Sequence, residues 1–177
     1  MYDGIFYNIY KSSKLEVLNL PGNDLSGVNP DLFGSAISKV ISANLSQTGL
    51  TGVAVRSLMQ KLRRTSVLQS LDLSHNAASL GLTRPEILAD AVISLQSVSL
   101  KMNTLSEAQV CSLLTAMATS SRCQLRDVNM SGVCFVSRVH PHTLATALMR
   151  LQRVVMYATK LTEYQLQHIL GSIGKTL

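Results

Sequence analysis

The stretch Leu95-Gln-Ser-Val98-Ser-Leu100-Lys-Met-Asn103-Thr-Leu105 decides how the chain folds. Its apolar residues stand at places one, four and six of a hexad, with one more five residues later. Places four and six alternate as a strand requires and share one face, while place five points to the other. The same hexad begins at Leu15, Val40, Leu68, Leu125 and Leu151, so six copies start at 15, 40, 68, 95, 125 and 151. The residues that follow at the later place are Leu25, Leu50, Ala78, Leu105, Phe135 and Leu161. A period of 25 to 30 residues marks a stacked-repeat solenoid.

Between the hexads runs a pattern with helical spacing. Val55, Leu58, Met59 and Leu62 carry it, as do Val110, Leu113, Leu114 and Met117. Leu166, Ile169, Leu170 and Ile173 repeat it, and Leu144, Leu148 and Leu151 form a thinner copy. Such stripes mark amphipathic helices. Thr51, Ser106 and Thr162 precede them as caps, and Glu107 and Glu163 suit the helix dipole. Each repeat is therefore a strand, a turn and a helix that returns the chain to a parallel strand. Helices are about 10 Å wide and strands about 4.8 Å apart, so helices crowd the outer rim and the stack curves with its strands inside. The expected architecture is α/β: a right-handed solenoid of six strand–helix repeats at 15–39, 40–67, 68–94, 95–124, 125–150 and 151–177. Residues 1–14, with the stripe Ile5, Phe6, Ile9 and Tyr10, read as a capping helix or the remnant of a preceding repeat.

The motif Leu-x-x-Leu-x-Leu-x-x-Asn-x-Leu, seen from Leu15 to Leu25 and from Leu95 to Leu105, resembles the leucine-rich repeat. The period and the long helix resemble its ribonuclease-inhibitor-like class, which includes NOD-like receptors, the activating protein for the Ran GTPase and actin capping-protein linkers. The resemblance covers residues 15 to 173. It implies that the asparagine at place nine hydrogen-bonds the backbone along the turn. Asn23, Asn76 and Asn103 hold that place; Thr48, Val133 and Thr159 replace it. Threonine substitutes in part and valine cannot, so an irregular turn is expected in the fifth repeat, through Gly132-Val-Cys-Phe135 and Arg138 to His142. Leu161 to Ile173 either closes the stack or adjoins further repeats of a longer array.

The chain has 177 residues, 46% hydrophobic and 15% charged, with a formal charge of +6. A charged fraction below the usual roughly 25% fits a long stacked core. Dispersed Lys and Arg read as solvated helix faces, which argues against nucleic acid as the partner. The run Arg56, Lys61, Arg63 and Arg64 reads the same way, with docking to an acidic domain or a phospholipid as the sharper alternative. Cys111, Cys123 and Cys134 are an odd set without metal-ligand spacing, and Cys111 and Cys134 read as small core fillers. No signal peptide is seen and no stretch nears the about 18 apolar residues of a membrane span. Asn44-Leu-Ser46 and Asn129-Met-Ser131 are glycosylation sequons on the strand surface, where a glycan would obstruct it. Together these favour a cytoplasmic chain.

The inward strand face is the usual binding surface of a solenoid. Place three gives Val17, Ser42, Ser70, Ser97, Asp127 and Arg153; place five gives Asn19, Asn44, Asp72, Ser99, Asn129 and Val155. Beyond the strand, an outward place seven gives Pro21, Ser46, Ser74, Lys101, Ser131 and Tyr157, and place eight gives Gly22, Gln47, His75, Met102, Gly132 and Ala158. Interface anchors are enriched in Trp, Tyr and Arg, and the chain has no Trp. Arg153 and Tyr157, with Val155 between, are the strongest anchor set. The expected patch is these three with Lys101, Met102, Asp127 and Asn129, and the expected partner is another protein.

Catalytic and cofactor readings are weak. Asp72, Ser74 and His75 have the composition of a triad but fall on alternating faces. His140-Pro-His142 lacks a third ligand. Gly171-Ser-Ile-Gly-Lys-Thr176 lacks the first glycine of a phosphate loop, with Ile169 at its place. No cofactor is expected. The function read from these residues is non-catalytic protein binding, as a scaffold or as the ligand-sensing array of an immune-receptor-like protein. The resemblance also allows a regulator of a small GTPase or of actin capping, and a spacer with an empty concave face stays open.

Overall fold

The computed structural model describes residues 3–64, 66–134 and 139–173. Phe135, Arg138 and Gly174-Lys-Thr176 lie outside them, as do the side chains of Ala78 and Ile173.

Six three-residue strands form one parallel sheet in chain order: β1 (Val17–Asn19), β2 (Ser42–Asn44), β3 (Ser70–Asp72), β4 (Ser97–Ser99), β5 (Asp127–Asn129) and β6 (Arg153–Val155). The helices are α1 (Asp3–Lys11), α2 (Pro30–Ile37), α3 (Gly52–Leu62), α4 (Ala77–Leu80), α5 (Pro85–Ile93), α6 (Glu107–Thr119), α7 (Pro141–Met149) and α8 (Glu163–Ile173). Register is constant: place three pairs with place three, from Val17↔Ser42 through to Asp127↔Arg153. The six hexads are the six strands, and the chain is an α/β leucine-rich-repeat solenoid.

The strands are short, yet their ladder continues into the turns. The place-eight N–H donates to the place-seven carbonyl of the next repeat in every pair: Gly22 to Ser46, Gln47 to Ser74, His75 to Lys101, Met102 to Ser131 and Gly132 to Tyr157, all at 2.8–2.9 Å. Reaching that geometry turns place eight into the left-handed region throughout: Gly22, Gln47, His75, Met102, Gly132 and Ala158 have φ of 54° to 76°. Only two of the six are glycine. The turn at Ser131-Gly132 follows the others, so the fifth repeat is regular up to that point.

Places four and six fill the core. Ala43, Leu45, Leu71, Leu73, Val98, Leu100, Val128 and Met130 are all 2% exposed or less. The helix stripes of α3 and α6 meet them: Val55, Leu58, Met59, Val110, Leu113, Leu114 and Met117 are fully buried. At about 25 cal/mol per Å² this apolar burial is the main stabilising term. The stripe reading missed α2 and α5, which are short. Their signal is proline: Pro30, Pro85 and Pro141 each stand at the start of a helix, where a missing N–H costs nothing.

The two end helices are covered unequally. Phe6 and Ile9 of α1 are buried against α2, with the Phe6 and Phe33 rings edge to face at 5.2 Å, but Ile5 is half exposed. In α8, Leu166 and Leu170 are 45% and 67% exposed. They occupy the places that Val110 and Leu114 hold in α6, where α7 covers them. Leu166 and Leu170 of the α8 stripe are thus uncovered, while Ile169 packs partly against the core.

Two buried glutamines staple neighbouring repeats. The Gln109 side-chain oxygen accepts from Ser106 N–H at 2.8 Å, closing a capping box, and its Nε2 donates to Leu80 O and Thr83 O at 2.8 and 2.7 Å. Gln165 repeats the device with Thr162 and Val139.

Candidate functional site

Along the concave face the place-three and place-five side chains of β2 to β5 are half-buried, and the place-four side chain between them is buried. Place five has a second task. Asn44, Asp72 and Asn129 each accept the N–H two residues on, from Ser46, Ser74 and Ser131, at 3.1, 2.7 and 3.0 Å. These Asx turns bend the chain out of the strand. The Asn44 and Asn129 side chains are therefore held against the turn backbone.

Place seven is not uniformly outward. Ser74 and Ser131 are each 5% exposed. Their hydroxyls bridge repeats, Ser74 Oγ to Ser99 Oγ at 2.6 Å and Tyr157 N–H to Ser131 Oγ at 3.2 Å. Alternation ends with the strand, and the turn rotates a small hydroxyl inward. A long side chain at the same place stays out: Lys101 is exposed and Tyr157 is 81% exposed.

The expected patch separates into two parts. Asp127, Asn129, Arg153 and Val155 line a shallow depression of about 270 Å³ that also takes in Ser97, Ser99, Ser70 and Asp72. Asp127 and Arg153 are register partners, as are Asn129 and Val155. Arg153 is exposed, and among the described residues the one ion pair is Arg63–Asp90, so its guanidinium is uncommitted. Tyr157, Lys101 and Met102 lie outside that depression, on the turns at its rim, with Met102 49% exposed in a left-handed turn.

The chemical alternatives do not assemble. Asp72 is bonded to Ser74 N–H, Ser74 Oγ to Ser99, and His75 is exposed on the turn. His140 caps α7, its Nδ1 accepting His142 N–H at 3.2 Å. Among the described residues no three His, Cys, Asp or Glu side chains are placed to hold a metal. In the basic run, Arg63 pairs with Asp90 at 2.8 Å and Arg56 donates to Leu82 O at 3.1 Å, so both tie α3 to its neighbour. Cys111 and Cys123 pack partly against the core, but Cys134 is exposed and is no core filler. Burial, and then nearby Glu107, push the Cys111 thiol above its ordinary pKa. No described helix is long and apolar enough to cross a membrane.

Sequence reasoning did not find the left-handed column at place eight or the stapling glutamines. Gly22 and Gly132 at equivalent places are a trace of the first, and the Ser-x-x-Gln and Thr-x-x-Gln spacings are a trace of the second.

A solenoid of parallel strands lining a polar inner face, with helices outside, is the leucine-rich-repeat fold. Residues 14–36 match the family model for the Leucine Rich Repeat. Nine solved chains match the fold. One is a Caenorhabditis elegans structure described as the tropomodulin C-terminal domain, at 12% identity and a TM-score of 0.58, covering 99% of this chain and 93% of that one. No curated protein sequence matches. The shared property is the fold.

Proposed function

We propose that this chain is a non-catalytic protein-binding module that works inside the cell and takes its partner on the C-terminal half of the concave face. The observation that carries the reading is the change in surface along the sheet. Serines line β2 to β4, while β6 presents exposed Arg153, half-buried Val155 and, on its turn, Tyr157 at 81% exposure. A cation without an ion pair and a solvent-facing aromatic ring beside an apolar residue form the anchor composition of an interface core. Asp127, Asn129, Lys101 and Met102 supply the adjoining polar and flexible rim.

An intracellular setting is supported by the sequons, whose Asn44 and Asn129 side chains are engaged in Asx turns on the binding face. Scaffold and immune-receptor-like array share this mode of binding, and so would a regulator of a small GTPase or of actin capping. The identity of the captured partner separates them.

The test is affinity capture from a cell lysate with the intact chain and with Arg153→Ala/Tyr157→Ala, each captured protein being identified and quantified. A partner retained by the intact chain and lost by the double variant supports the reading. Equal retention by both, with both folded by circular dichroism, overturns it.

A further inference from the structure

Charge is biased between the two rims of the solenoid, although Arg84, Lys101 and Lys160 stand among the acids and Glu16 and Asp90 among the bases. Where strands end and helices begin, first turns carry Asp3, Asp31, Glu86, Glu107 and Glu163. Where helices end and strands begin, the exposed or half-exposed charges include Lys11, Lys39, Lys61, Arg64, Arg122 and Arg126. Helix dipoles account for the acids and for Lys11 and Lys61 in last turns. Lys39, Arg122 and Arg126 stand outside the helices, so the basic rim exceeds what the dipoles ask for.

On this rim, at the N-terminal end, lies a groove of about 1010 Å³ between the end of α1 and the entries to β1, β2 and β3. Leu15, Ile41 and Val67 line it, at 37%, 37% and 57% exposure. Lys11, Lys39 and Lys61 line it as well, with Glu16 as the acid among them. The Tyr10 ring, itself in the groove wall, carries the Lys39 ammonium, with Nζ 4.3 Å from its centroid, while Lys11 Nζ lies between the Tyr7 and Tyr10 rings at 5.6 and 5.8 Å. None of the three lysines has an ion pair among the described residues.

We propose that this groove is a second docking site, independent of the concave face, for an acidic peptide segment of another protein that carries aliphatic side chains. The lysines fix the sign of the ligand, and the exposed aliphatic walls require apolar side chains between its acids. Glu16, Ser12, Ser13, Ser38 and Ser66 interleave with the aliphatic walls, a pattern that a peptide of alternating side chains matches better than a continuous anionic bilayer, and vesicles serve as a competing probe. Single-stranded nucleic acid needs open aromatic faces for stacking, and the one aromatic ring here already carries a lysine ammonium.

The test is fluorescence anisotropy with a labelled peptide of alternating glutamate and leucine. Matched probes are a glutamate–serine peptide, a lysine–leucine peptide, phosphatidylserine vesicles and duplex DNA. Saturable, salt-sensitive binding of the glutamate–leucine peptide is expected, weakened at least roughly tenfold by Lys39→Glu/Lys61→Glu, by Ile41→Ser and by the change to glutamate–serine. Should Ile41→Ser fail to fold, the more exposed Val67→Ser replaces it. Arg153→Ala/Tyr157→Ala should leave this binding unchanged, which separates the groove from the concave patch. The proposal is overturned by absence of saturable binding, by equal affinity for the serine or lysine peptide, by insensitivity to the groove variants, or by tighter binding of vesicles or DNA.

Discussion

Asn76 donates its backbone N–H to the side-chain oxygen of Asn103, one repeat away, at 3.0 Å. The same link runs one repeat back, where Thr48 N–H donates to Asn76 Oδ1 at 3.2 Å, and Asn76 Nδ2 donates to Leu45 O and Leu73 O at 2.8 and 3.1 Å. Both asparagines are 4% exposed. Where threonine takes the place, Thr48 and Thr159 hydroxyls donate to the carbonyl three residues back, at 2.7 and 3.0 Å, and the Thr48 hydroxyl also reaches Asn76 Oδ1 at 3.3 Å. The file ends at Asn103, because Val133 offers no acceptor. Removing Asn76 strips several buried partners at about 1–3 kcal/mol for each group left unsatisfied. Urea denaturation should rank the losses Asn76→Ala above Asn103→Ala above Asn23→Ala, the last residue being exposed. Val133→Asn should be tolerated far better than Val128→Asn, although both valines are fully buried, since only the first lies on the file. Equal costs at 133 and 128 would sink that explanation.

Gln109 of α6 and Thr83, in the loop that Gln109 binds, make opposite predictions. Gln109 satisfies Ser106 N–H and two buried carbonyls, so Gln109→Ala should cost about 2–4 kcal/mol. Thr83 is 3% exposed and its hydroxyl has no partner among the described residues. Thr83→Val keeps the shape and removes an unsatisfied group, so it should stabilise by about 1 kcal/mol. Thermal melts of the two variants check the pair; a destabilised Thr83→Val would mean that a hydroxyl partner is in place.

Gly34 and Gly171 separate packing from propensity. A Cβ at Gly34 of α2 would lie 3.0 Å from Ser57 Oγ and 3.1 Å from Leu58 N of α3, and a backbone atom cannot step aside cheaply. At Gly171 of α8 nothing lies within 4 Å. Gly171→Ala should therefore stabilise by about 0.5–1 kcal/mol, the ordinary helix preference for alanine, while Gly34→Ala should destabilise. Calorimetric melting of both variants gives the two signs directly.

Cys134 is exposed and should alkylate first, and Cys111, half-buried and with its thiol raised, should alkylate last. Burial and Glu107 raise the Cys111 thiol, so less of it is thiolate at neutral pH, and its reaction should accelerate as pH rises. Glu107→Gln should speed it modestly. Mass spectrometry of time-resolved N-ethylmaleimide labelling reads the order; Cys111 reacting first would contradict the burial.

What the amino-acid order reveals here follows from which forces repeat. The leucine places recur because every repeat buries the same strand face, so six strands and the long stripes of α3 and α6 are legible. Exposure at an end helix is set by what packs beside it, and Leu166 carries the same chemistry as the buried Val110. Burial of Ser74 and Ser131 is set by a backbone rotation after the strand, which a two-residue alternation does not encode. The anchor composition of Arg153 and Tyr157 is visible in the chain. The basic groove is not, because Lys11, Lys39 and Lys61 come from three segments that only the stacking brings together.

The place-eight turns carry one more meaning. A backbone conformation that usually asks for glycine is here adopted by Gln47, His75, Met102 and Ala158, each with its side chain in solvent. Glycine at these four places would ease the local torsion without touching a core contact, yet other side chains stand there. The bend recurs whichever residue occupies it, and among the described residues Ala158 adopts it without the ladder bond that the other five place-eight N–H groups donate. The fold thus provides a row of sockets, one per repeat along the rim, whose contents vary while the frame stays locked, and neighbouring sockets are coupled where the Met102 sulfur occupies the space that a Cβ at Gly132 would take.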